Sequence, residues 1–173
     1  PDRSWASIGI AAQREDGDIH IEVVEDAPGT HWLIHGDPGR ELRGLDALTR
    51  EHGGEVYADF LTVGALGPDL EDAGIDVHWI GADDVRVAAP MLLDYVLNGH
   101  VWHIGQGELE DAISSAATRT FGDGWAWARG KSMRPITALV SVTLALRMLA
   151  KTLPDINHDP LGALRVAAAK EEA

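Results

Sequence analysis

The chain has 173 residues, contains no cysteine and carries a formal charge of −14 at pH 7. This length suits one ordinary domain whose core needs no disulfide or structural metal, and the absence of thiols excludes a cysteine nucleophile, cysteine-ligated zinc and iron–sulfur clusters. No apolar run reaches the roughly 18 residues of a membrane helix, so we expect no membrane contact, and we expect no signal peptide.

The negative charge is unevenly distributed. Residues 1–99 contain 20 acidic and 6 basic side chains, whereas residues 100–173 contain eight of each. Between positions 119 and 151 the only acid is Asp123, against six basic residues: Arg119, Arg129, Lys131, Arg134, Arg147 and Lys151. An acidic chain disfavours nonspecific nucleic-acid binding, but this basic stretch leaves two interpretations open, a nucleic-acid surface or a solvated surface.

The first half of the chain predicts a hairpin followed by alternating helices and strands. Residues 5–13 and 19–25 are predicted strands, and Asp16-Gly17 between them is typical of a hairpin turn. Pro38 begins a predicted helix that ends at Gly53-Gly54. The remaining predictions for this half are a strand over 55–59, an interrupted helix over 63–74 and a strand over 75–80.

The second half is predominantly helical. Asp83 and Asp84 precede a helix that ends at Asn98-Gly99, and a second helix is predicted over 108–117. Residues 119–129 are predicted to be extended, Pro135 begins a long apolar helix to Lys151, and residues 154–173 form a polar tail. This order predicts an α/β fold with a mixed sheet, antiparallel at first and parallel later.

Asp59 is the strongest candidate functional residue. It ends a predicted central strand, and in open α/β sheets binding sites collect at such strand ends. A carboxylate there can hold Mg²⁺ or Mn²⁺, which prefer oxygen ligands. The alternative is that Asp59 caps the next turn.

Trp125 and Trp127 share one face if their segment is a strand. They are then either core aromatics or a wall beside a polynucleotide backbone.

Several segments, in this order along the chain, resemble the nuclease domain of tailed-phage large terminase subunits of the actinobacteriophage-like kind. They are PDRSWASI at 1–8, IHIEVV at 19–24, LNGH at 97–100, HIGQ at 103–106, GDGWAW at 122–127, KS at 131–132 and ITALVSVTLA at 136–145. The resemblance covers about residues 1–150, and we expect residues 1–153 to form one domain, with residues 154–173 as a polar C-terminal tail.

The resemblance implies a ribonuclease-H-like mixed sheet flanked by helices. It also implies a metal-dependent endonuclease that cuts concatemeric double-stranded DNA during genome packaging, with Mg²⁺ or Mn²⁺ as cofactor. The implied partners are a terminase ATPase domain upstream, the portal and the small terminase subunit, and the implied location is the cytoplasm of the bacterial host of a phage or prophage.

The family has three acidic metal ligands, and this chain matches one of them. Asp59 matches the second acid and is the expected catalytic residue. The first acid would lie on a first strand preceding Pro1, and Pro135 stands where the third acid is expected. Asp123, within a matched motif, is a further candidate metal ligand, although the match itself does not assign it. Arg119, Arg129, Lys131 and Arg134 are the candidate DNA-binding residues.

Three interpretations therefore remain open. The chain is an active nuclease domain, a catalytically degenerate terminase-like module that binds DNA or a packaging protein, or an unrelated ribonuclease-H-like protein. Loss of a metal ligand typically costs orders of magnitude in metal affinity or rate, so the missing acids leave the enzyme assignment undecided.

Overall fold

A computed structural model describes residues 4–122 and 124–153 of the chain. The predicted tail at 154–173 and the candidate ligand Asp123 lie outside the described residues. The described part contains seven strands: β1 (Trp5–Gln13), β2 (Ile19–Pro28), β3 (Val56–Asp59), β4 (Val77–Ile80), β5 (Val101–Trp102), β6 (Thr118–Phe121) and β7 (Gly124–Trp127). It also contains six α-helices: α1 (Leu45–His52), α2 (Phe60–Val63), α3 (Gly67–Asp72), α4 (Ala82–Leu97), α5 (Gly107–Ser115) and α6 (Thr137–Thr152).

The first two strands form an antiparallel hairpin, and β5 adds to β2 in parallel. Gly17 in the turn has φ +92°, a conformation that favours glycine. Ile19, Ile21 and Val23 alternate along β2 and are all buried, as the period-two pattern predicts. The predicted mixed sheet is therefore present, with β2 between β1 and β5.

Helix α6 covers one face of this sheet and forms the centre of the main core. Leu139, Val142 and Leu146 are buried against the apolar residues of β2, α4 and α5. The helix comes very close to β1 at Gly9, where an added Cβ would lie 2.8 Å from the backbone nitrogen of Val142. A side chain at this position would therefore push the helix away from the sheet.

Two smaller sheets complete the described fold. Strands β3 and β4 pair in parallel, with Asp59 opposite Ile80 at their ends, and β6 and β7 form an antiparallel hairpin. Helix α6 contacts β3 as well as β1 and β2, and α4 packs against both α6 and β7. Within the described residues, β1 and β3 each keep one edge without a strand partner.

The prediction of one helix from Pro38 to Gly53 is wrong in its first half. Pro38–Arg40 form a single 3₁₀ turn, which ends at Glu41 with φ 58°, and the regular helix begins only at Leu45. The backbone of Leu42 returns to pair with Asp37. Tertiary packing therefore breaks a segment whose leucine spacing suits a helix.

Candidate functional site

Asp59 lies at the carboxyl end of β3 and is almost completely buried, with 7% of its surface exposed. Its backbone is extended, and its Oδ1 accepts a hydrogen bond of 3.1 Å from the backbone N–H of Leu61, the second residue of α2. Capping of the following helix, one of the two roles predicted for this residue, is therefore present in the structure.

The other oxygen of Asp59 forms an ion pair with Arg129. The Nη2 of Arg129 donates to Oδ2 of Asp59 over 3.0 Å, and the two residues are 70 positions apart in the chain. Arg129 begins the 3₁₀ turn Arg129–Lys131 that follows β7, and 38% of its side chain is exposed. Both carboxylate oxygens of Asp59 are thus engaged by the protein itself.

A cleft of about 550 Å³ opens beside this ion pair. Its polar lining includes three of the four predicted DNA-binding residues, Arg119, Arg129 and Lys131, together with Asp59. Its apolar walls come from α4, the β6–β7 hairpin and α6. Residues distant in sequence are therefore brought together into one cationic cleft.

The hairpin supplies the aromatic part of this cleft. Trp127 packs against the main core, as one of the two interpretations predicts, and it also lies in the wall of the cleft. The indole N–H of Trp127 donates to Oγ1 of the buried Thr143 over 3.1 Å. The ring of Trp125 meets that of Trp127 edge to face, with centroids 5.0 Å apart.

Arg119 and Arg134 have different surroundings. The guanidinium of Arg119 stacks over the ring of Phe121, 4.5 Å from its centroid, as expected for positions i and i+2 on one face of a strand. Arg134 forms an exposed ion pair with Asp111 over 3.1 Å and does not line the cleft. No sequence motif marks Phe121 or Thr143 as part of this cleft, although strand alternation links Phe121 to Arg119.

The helices on either side of the cleft are held together by a charged cluster. Asp84 of α4 accepts hydrogen bonds from Arg147 and Lys151 of α6, at 3.1 and 3.0 Å. Burial by itself raises the pKa of the Asp84 carboxyl, but the hydrogen bonds and charges of the two cations outweigh burial and lower that pKa. Asp84 is therefore anionic at neutral pH and fixes α4 against α6.

The described residues do not fit a divalent metal site. No three histidine, aspartate or glutamate side chains in residues 4–122 and 124–153 lie close enough together to hold an ion. Within that part of the chain, Asp59 is the one acid that lines the cleft, and Arg129 already neutralises it. The charged side chains that line the described cleft are three cations and one carboxylate that is already paired.

The similarity of this chain to known proteins lies in its structure. Neither a protein-family model nor a curated protein matches this sequence. Solved structures do match, and they include the HK97 bacteriophage large terminase, with a TM-score of 0.59, 16% identity, and coverage of 86% of this chain and 40% of that chain. The large terminase nuclease from thermophilic phage G20c matches with a TM-score of 0.56, 15% identity, and coverage of 89% of this chain and 84% of that chain.

A second structure of the G20c nuclease, solved with bound magnesium, has a TM-score of 0.54 and 19% identity and covers 84% of this chain and 81% of that chain. The chain therefore has a mixed α/β fold that is ribonuclease-H-like. In particular, it has the fold of phage large terminase nuclease domains, so the resemblance found in the sequence is confirmed at the level of the fold. The chain spans 40% of the HK97 large terminase.

No helix in the described part of the chain is both long enough and apolar enough to span a membrane.

Proposed function

We propose that this chain is the nuclease domain of a phage large terminase and that it acts on double-stranded DNA during genome packaging. The fold shared with the HK97 and G20c proteins supports this proposal. The observation that carries it is the cationic cleft, where Arg119, Arg129 and Lys131 line one surface of an otherwise acidic chain. Cationic side chains grouped in this way are suited to the phosphates of a duplex.

Cleavage needs more carboxylates than the described cleft contains. We propose that the first strand implied by the resemblance pairs between β1 and β3 and brings the first family acid next to Asp59. Two observations support this arrangement: β1 and β3 each have an open edge in the described residues, and α6 packs across both strands. Asp123 remains a candidate for a further ligand. With these acids in place, Mg²⁺ or Mn²⁺ would activate a water for phosphodiester hydrolysis.

This arrangement can be tested by hydrogen exchange. A chain extended upstream is compared with residues 1–173, and the backbone amides on the open edges of β1 and β3 are followed. We expect these amides to become protected in the longer chain, because an inserted strand would accept their hydrogen bonds. Unchanged exchange at both edges would contradict the placement.

Nuclease activity is tested by plasmid nicking with Mn²⁺ on the same extended chain. The proposal predicts nicking that Asp59→Ala abolishes and Asp46→Ala, a change at an aspartate outside the cleft, leaves intact. A chain that binds DNA but neither nicks plasmid nor binds Mn²⁺ by calorimetry would instead be the degenerate packaging module. The open question of catalysis is therefore separable from DNA binding.

The further partners and the location are those implied by the resemblance to large terminases, and they are part of this proposal. They are an ATPase domain upstream, the portal, the small terminase subunit and the cytoplasm of the bacterial host. Co-purification of the extended chain with the portal or the small subunit from the same genome would test these two partners. An extended chain that co-purifies with neither protein would contradict those partners while leaving DNA binding intact.

A further inference from the structure

The two oxygens of Asp59 have separate protein partners. Oδ1 accepts the Leu61 N–H over 3.1 Å, and Oδ2 accepts from Arg129 over 3.0 Å. A buried carboxylate loses solvation and is stable only when hydrogen-bonded or paired, and this one is both. A divalent cation at Asp59 would have to displace the guanidinium, and the described cleft offers no second carboxylate to compensate.

The guanidinium of Arg129 is bound to Asp59 through one nitrogen, and part of the side chain remains exposed to solvent. A guanidinium carries five N–H donors in a planar fork, and one of its terminal nitrogens bonds Asp59. The side chain remains 38% exposed and lies in the cleft with Lys131 and Arg119. An arginine fixed by a carboxylate on one side presents its remaining donors in a defined direction, which suits bidentate binding of a phosphate.

We infer that Asp59 is a positioning residue for Arg129, and that the cleft binds a DNA phosphodiester group through Arg129, Lys131 and Arg119 without a divalent cation. This inference rests on the proposed function, since it takes duplex DNA as the ligand. It assigns Asp59 a role in DNA binding by residues 1–173, whose described cleft lacks the further carboxylates on which the proposed metal site depends.

The experiment measures the affinity of residues 1–173 for a fluorescein-labelled duplex by anisotropy over a range of salt concentrations. Each titration is performed in EDTA and again in Mn²⁺ at matched ionic strength. The variants are Arg129→Gln, Arg129→Lys and Asp59→Asn. The matched control is Arg40→Gln, because Arg40 is 36% exposed and ion-paired with Asp37 but does not line the cleft.

We expect the chain to bind DNA equally well in EDTA and in Mn²⁺. Arg129→Gln should weaken binding about tenfold and reduce the slope of log affinity against log salt by about 1, as for one lost phosphate contact. Arg129→Lys should recover the slope but not the affinity, because an ammonium cannot bridge carboxylate and phosphate as the planar fork does. Arg40→Gln should match the unchanged chain.

Asp59→Asn distinguishes two effects of Asp59 on DNA binding, the positioning of Arg129 and the effect of its negative charge alone. Removing a negative charge beside a phosphate should tighten binding if Asp59 acts only through its charge. Asparagine replaces one of the two carboxylate oxygens with an NH2 donor, so it cannot accept hydrogen bonds at both positions, where Leu61 and Arg129 donate. We expect binding about three- to tenfold weaker, because an unanchored arginine loses side-chain freedom when it binds, with the salt slope unchanged. Thermal unfolding followed by circular dichroism verifies that each variant is folded.

Besides tighter DNA binding by Asp59→Asn, three results would overturn the inference. Binding that requires Mn²⁺, and whose metal dependence disappears in Asp59→Asn, would make Asp59 a metal ligand and leave the proposed function standing. DNA binding that is insensitive to Arg129→Gln would refute the phosphate site at Arg129 and leave the proposed function standing. Absence of DNA binding even at low salt would refute the inference and the proposed function together.

Discussion

The cluster of Asp84, Arg147 and Lys151 holds together the two helices that flank the cleft. Its loss should therefore lower the free energy of unfolding by a measurable amount. In Asp84→Asn the side chain keeps its size but loses its charge. The side chains of Asp84 and Arg147 are only 18% and 20% exposed and lie 2.9 Å apart. The substitution therefore leaves a mostly buried guanidinium without a counter-charge.

The expected loss of stability in Asp84→Asn is the sum of separate contributions from Arg147 and Lys151. A hydrogen bond to a charged and largely buried group contributes about 1.5–3 kcal/mol, which is the value expected for Arg147. Lys151 is more exposed, so screening reduces its share to about 0.5 kcal/mol or less. We expect a loss of about 2 kcal/mol in the free energy of unfolding, and a decrease in Tm of about 4–8 °C for a domain of this length.

The effect should depend on pH in one direction. The folded-state pKa of Asp84 lies below the ordinary value of 3.8, so its stabilisation is complete at neutral pH. It declines as the pH falls below about 3.8 and through the folded-state pKa. The Tm difference between the chain and Asp84→Asn should therefore be largest at pH 7 and smallest near pH 3.

Thermal and urea unfolding followed by circular dichroism provide the assay. Asp83→Asn is the matched control, since the side chain of Asp83 is almost completely exposed and comes no closer to Arg86 than 3.6 Å. This substitution should leave Tm unchanged. Equal Tm values for the two variants at pH 7, or a difference that grows toward pH 3, would refute the reasoning.

Three further predictions concern the core and the cleft. Gly9→Ala should lower Tm by several degrees, because its Cβ would meet α6 at 2.6 and 2.8 Å, and an unchanged Tm would disprove that close contact. Trp127→Phe should cost about 1 kcal/mol in urea unfolding through the lost hydrogen bond to Thr143, and Thr143→Val in the same background should add less than it does alone. Arg119→Gln should weaken duplex DNA binding in anisotropy titrations, and most clearly at low salt; equal binding at every salt concentration would remove Arg119 from the interface.

Features determined by local sequence were predictable. The Asp16-Gly17 turn and the alternation of Ile19, Ile21 and Val23 specify the β1–β2 hairpin, since both depend on neighbouring residues. The position of Asp59 at the end of β3 follows in the same way. The long apolar helix predicted from Pro135 to Lys151 is present as Thr137–Thr152.

Features determined by distant residues were not predictable. The leucines after Pro38 suit a helix, but Gly44 packs so closely that an added Cβ would lie 2.2 Å from the carbonyl oxygen of Ile34. The helix therefore starts only after this contact. From the sequence, Asp59 and Arg129 are predicted to have separate roles, as a metal ligand and a DNA contact. The ion pair between them exists only because folding joins the end of β3 to the turn after β7.

The most direct measurement for the central claim is an NMR titration of arginine side-chain Nε–H signals with duplex DNA in EDTA, for which a chain of 18.6 kDa is well suited. If the cleft is the DNA-binding surface, the signals of Arg119 and Arg129 should shift progressively, while those of Arg40 and Arg43 should stay in place. Shifts confined to arginines outside the cleft, or no shift at any arginine, would contradict the account.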